Sequence, residues 1–222
     1  MGKQLVEWLT DKFGDELKSR FAMPALVAAT LTVLLTWATV KGEYFSALLS
    51  LLTVAPADLT AEDAGLSKLP LYVFVGAVLG SLLGYKLVRL LARSYFRFIC
   101  QLPAHRAKLE QMKKDMQGTR TVSTQRFMDE LRTAQDELER RRSSVRSIVQ
   151  AYEWLAMSGL AIVAISFVGN ALDAGVGSCL LIASLGVLYR SVGVFLAKVT
   201  PWHAKVEALT LASPEAAPST SP

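Results

Sequence analysis

The 222 residues offer few groups able to do covalent chemistry. His105 and His203 stand alone, with no second ligand at a metal-binding spacing. No nucleophile elbow, phosphate loop or paired-carboxylate arrangement is present. Cys100 and Cys179 fall in different parts of the chain, so no disulfide framework follows. Cys100 lies beside Arg97, which would favour a reactive or acylated thiol; the alternative is a small apolar residue. Catalytic, metal and cofactor sites are therefore all expected to be absent, and the chain is read as non-enzymatic. A membrane enzyme acting on lipid lacks any polar constellation to support it.

The groups worth weighing are those that act through position. Gly76, Gly80 and Gly84 repeat G-x-x-x-G, which flattens one helix face and lets a second backbone approach. They predict either an oligomer seam or close packing within one subunit. Thr32, Thr36 and Thr39 share a helix face. They are candidate pore-facing residues, against the ordinary use of such hydroxyls in bonding their own i−4 carbonyl. Arg190 is the one charge inside an apolar run. It reads as an interfacial anchor, paired with Tyr189 as Lys86 is with Tyr85, or as part of a ring at a pore mouth. Lys86, Arg89, Arg93 and Arg97 form one basic stripe that would snorkel to the phosphates at the inner interface. No Asp or Glu lies inside an apolar run, which argues against a proton-coupled carrier.

Four long apolar elements must position these groups. Uncharged runs of 20, 17, 19 and 16 residues lie between Arg20 and Lys41, Lys68 and Lys86, Glu153 and Asp173, and Asp173 and Arg190. A span needs roughly 17–25 apolar residues. With 52% apolar and 19% charged residues overall, a soluble globular enzyme is excluded. The predicted fold is an all-α integral membrane protein with four transmembrane helices. They form two hairpins, with a cytoplasmic, coiled-coil-like helical insert between spans two and three.

Lysine and arginine set the orientation. Residues 86–153 carry 15 of the 24, and an inside N-terminus divides them 22 inside against 2 outside. Both termini are thus expected in the cytoplasm. An Ala- and Leu-rich composition points to a bacterial inner membrane. A signal peptide is not expected, because Glu7, Asp11, Asp15 and Glu16 crowd the residues before the first run.

Five segments follow. Residues 1–20 form an amphipathic interfacial helix with Leu5, Trp8, Leu9, Phe13 and Leu17 on one stripe. Residues 21–100 hold the first hairpin, with an outer loop at 41–68 and a cytoplasmic extension of its second helix. Within that loop, 44–57 is too short to span and reads as interfacial or re-entrant. Residues 101–153 form the stalk. Its short first helix carries Leu109, Met112 and Met116, and Gly118 to Thr121 marks a break. A heptad then places Phe127, Ala134, Arg141 and Ile148 at one core position, and Leu131, Leu138, Val145 and Tyr152 at the other. This seam asks for a second helix from a sister subunit or another protein. Arg140 to Arg142 with Arg146 would meet an acidic partner or simply be solvated; nucleic acid is not expected. Residues 154–200 hold the second hairpin, and 201–222 a largely disordered cytoplasmic tail.

The order of two spans, a cytoplasmic helical insert and two further spans with a tight outer turn resembles the layout of the MotA flagellar stator subunits. It is more loosely similar to that of the TolQ and ExbB proteins. The resemblance covers arrangement alone and carries no residue across. The expected function is a homo-oligomeric membrane pore or sensor whose stalk docks a cytoplasmic protein, in contact with membrane lipid. The alternative is a non-conducting anchor or adaptor that recruits a soluble effector, as in bacterial anti-phage defence.

Overall fold

The computed structural model describes residues 2–17, 23–41, 46–53, 66, 69–103, 124–166 and 171–211. Among them there is helix and no strand. In chain order the helices are α1 (Gly2–Glu16), α2 (Met23–Lys41), α3 (Ala47–Thr53), α4 (Leu71–Gln101), α5 (Thr124–Ser166) and α6 (Ala171–Val194). A π-turn (Phe195–Val199) leads into α7 (Thr200–Leu211). Four helices are long and apolar enough to cross a membrane, starting at Met23, Leu71, Met128 and Ala171. The chain divides into two compact units, one of residues 19–92 and 150–188, the other of 1–18, 93–149 and 189–222.

In the first unit, Pro24 sits in the first turn of α2, where its missing N–H costs no hydrogen bond. Ala29, Val33, Trp37 and Ala38 bury one face of α2 in a cluster with Leu69 and Ala77. Helices α4 and α5 run antiparallel: Gly84 lies against Met157, Tyr85 and Arg89 against Glu153, and Tyr152 against Val88. Helices α5 and α6 touch through backbone. A Cβ on Gly159 would stand 3.0 Å from the Gly177 carbonyl oxygen, and one on Gly177 would stand 2.7 Å from Val163. Any side chain at either position would push the two helices apart.

The 44–57 stretch contains α3. The Leu49 N–H donates to Ser46 Oγ at 3.2 Å and the Ala47 N–H to the Asp173 carboxylate at 2.9 Å, while the Ser46 hydroxyl donates to the same carboxylate. Free N–H groups at a helix start take up whatever acceptor is near. Here the acceptor is the buried Asp173 in the first turn of α6.

In the second unit, Leu9 and Phe13 of α1 are fully buried and Leu17 nearly so. Phe13 stacks on Phe96 at 4.5 Å between centroids, and Phe195 meets both edge-on, at 5.3 and 5.7 Å. Gly14 leaves room for Arg93, whose Nε would be 2.8 Å from a Cβ there. The apolar stripe of α1 is thus packed on protein at Leu9, Phe13 and Leu17. Trp8, expected at headgroup level, is half-buried and edge-on to His203 at 6.2 Å.

Residues 201–211 are helical. Pro201 cannot donate to a carbonyl one turn back. The ladder widens to a π-turn just before it, which keeps the helix running. Residues 212–222, Leu109, Met112, Met116 and the 118–121 break lie outside the described residues.

Candidate functional site

Besides Asp173, two buried carboxylates, Glu153 in the first unit and Glu16 in the second, organise the polar chemistry. In the first unit Glu153 is 1% exposed. Arg89 Nε donates to it at 3.1 Å and the Tyr85 hydroxyl at 3.4 Å. Arg89 also donates to the Tyr85 hydroxyl and lies 4.2 Å over the Tyr85 ring. The Tyr152 hydroxyl donates to the Val88 carbonyl at 3.0 Å. A carboxylate taken from water needs its charge and its lone pairs both answered. A guanidinium and a phenol do so here.

In the second unit Glu16 accepts from Arg142 and, at 2.8 Å, from Arg146. Arg146 also reaches Glu139 at 3.5 Å. Arg141 pairs with Glu137 one turn back at 2.6 Å and lies 5.0 Å over the Trp202 ring. Helices α1 and α7 therefore both dock on the heptad helix. Ala134 and Val145 are fully buried and Leu138 is 8% exposed within a single chain. Leu131, Arg141 and Ile148 are half-buried. The side chain of Phe127 lies outside the described residues. Helices α1 and α7 of the same chain thus reach the heptad helix at Arg142, Arg146 and Arg141.

His203 lies beside this contact, past Lys198 and the apolar run of α6. Trp8 and Phe195 flank its ring, and Nε2 has no hydrogen-bond partner among the described residues. Burial pulls its pKa down to about 4, helped by Arg142 and Lys12 and opposed by Asp15.

The basic stripe does not act as one set. Lys86 and Arg97 are exposed, as is Arg190, and suit an interface. Arg89 is turned to Glu153 and Arg93 to Gly14. For those two, a nearby carboxylate or a glycine-made slot competes with the phosphates. Thr32, Thr36 and Thr39 each donate to the carbonyl four residues back, at 2.7, 2.8 and 2.8 Å. Their hydroxyls are satisfied without a water-filled lumen. Gly76 and Gly80 have no atom of the described residues within 4 Å of where a Cβ would be, while Gly84 has Met157 at 3.7 Å. Cys100 is buried and Cys179 exposed.

The buried carboxylates escaped the sequence reading. Glu153 bounds an apolar run and Glu16 precedes one, so both look like ordinary flanking charges. The available signal was spacing: Tyr85 and Arg89, four apart, form a donor pair on one helix face. No protein-family model matches the chain, and comparison with curated proteins and with solved structures finds no similar one.

Proposed function

We propose that this chain is a non-enzymatic integral membrane protein that self-associates and acts as a membrane sensor, in the inner membrane of a bacterium. One observation carries the reading: Gly76 and Gly80 open onto no atom of the described residues within 4 Å. Two glycines in register with no neighbour among the described residues offer a surface on which a second backbone can approach closely. Exposed Tyr72, Val75, Leu79 and Leu83 surround them. The pore reading is set aside, because the threonines that motivated it are bonded within their own helix.

The anchor or adaptor reading keeps one support. The α5 helix presents Asp129, Glu130, Arg132, Asp136 and Arg140 outward, a charged face fit for a soluble partner.

Gly80→Leu tests the principal reading. The variant is expected to insert normally and to run as a monomer in detergent, while the unmodified chain runs as an oligomer. An unchanged oligomer would remove the glycine face from the interface.

A further inference from the structure

A groove of about 310 Å³ opens on the second unit, lined by Ile99, Tyr189, Arg190, Gly193, Ala197 and Lys198, with Val192 and Val194 completing its walls. Its walls are nearly all carbon, yet two cations border it. Neither Arg190 nor Lys198 has a carboxylate partner among the described residues, and both are exposed. Two facts of the fold make the groove. Gly193 contributes no side chain, and a Cβ there would meet no atom of the described residues within 4 Å. The π-turn that follows buries Phe195, Leu196 and Val199 and leaves Ala197 and Lys198 facing out.

Arg190 closes the uncharged run of α6, so the groove lies where hydrocarbon gives way to phosphate. An apolar trough bordered by two cations with no carboxylate partner among the described residues matches one molecule class in that layer: an acyl chain carrying an anionic headgroup. We propose that this groove is a binding site for one anionic phospholipid. The headgroup phosphate sits between Arg190 and Lys198, and an acyl chain lies over Gly193. The proposal rests on membrane insertion and is independent of self-association.

Native mass spectrometry of the full chain, released from a neutral detergent, tests it. The probes are phosphatidylglycerol, phosphatidylcholine and inorganic phosphate. One phosphatidylglycerol should be retained per chain in preference to phosphatidylcholine. Arg190→Gln with Lys198→Gln should weaken that retention about thirtyfold, about fivefold for each interfacial cation. Gly193→Trp keeps both charges and fills the trough, so it should weaken retention as well. Lys86→Gln with Arg97→Gln removes exposed cations elsewhere and should leave retention intact. Equal retention of the two lipids would overturn the site. So would equal losses from the two double variants, since that would mean diffuse charge, or full displacement by inorganic phosphate. Because retention is counted per chain, a monomeric Gly80→Leu protein should retain the lipid just as well.

Discussion

At the residue scale, the decisive groups are charges that have left water. Breaking a buried ion pair from one side costs about 3–5 kcal/mol, since the remaining charge is stranded. Glu153 and Glu16 are each held by arginine, so neither is stranded. His203 is the opposite case, a buried group whose neighbours oppose its charge. Its folded pKa of about 4 lies below the usual 6.5. The unfolded chain therefore binds the proton more readily between those values, and stability falls as pH drops from about 6.5 towards 4. Burial and the two cations Arg142 and Lys12 drive the effect against Asp15. The full difference is worth about 3 kcal/mol. His203→Phe should keep the ring packing and abolish this part of the acid sensitivity. Melting temperatures of both proteins at pH 7.5 and pH 5 check it, and an identical acid shift in the two would assign the sensitivity elsewhere.

At the element scale, a lone amphipathic helix cannot bury its own seam. The heptad of α5 demanded a second helix, and α1 and α7 meet that demand through Glu16 and Trp202. The consequence for mutation changes accordingly. Val145→Asp puts an unpaired charge at a fully buried position, at a cost on the order of 3 kcal/mol. It should lower the melting temperature of the monomer itself. Oligomer size at low temperature should not change, because the interface proposed above is the glycine face of α4. Gel filtration beside thermal melting separates the two. A normal melt with a broken oligomer would return the heptad to a subunit interface.

At the scale of the whole molecule, four helices have the length and apolarity to cross a membrane, and charge decides which way. Reversing the chain would place 22 of its 24 basic residues on the outer side. Cysteines introduced at Ala61 and Ser143, in a Cys100→Ala and Cys179→Ala background, should therefore label from opposite faces of the membrane, with Ser143 reached from the cytoplasm. Labelling of both from one face would end the four-span reading.

Much of the architecture was legible in the sequence. Uncharged runs of membrane length are a property of composition along the chain, so the four apolar helices could be counted without coordinates. Periodicity likewise marked the apolar faces of α1 and α5, because a helix repeats its face every 3.6 residues whatever packs on it. What covers those faces was not legible. A stripe states that something must bury it, and only the tertiary structure decided that α1, more than a hundred residues before α5, and α7, beyond α6, reach the heptad helix. The glycines make the same point. Gly76, Gly80 and Gly84 announce themselves by regular spacing, whereas Gly159 and Gly177 form the tight backbone contact. A close approach between two helices needs one small residue on each, and nothing in either helix alone records where the other crosses. Buried carboxylates were hidden for the same reason: the arginines that neutralise Glu16 and Glu153 lie 64 to 130 residues away. Chain-local physics fixes which helices exist, and long-range contact decides which charges and faces they surrender to one another.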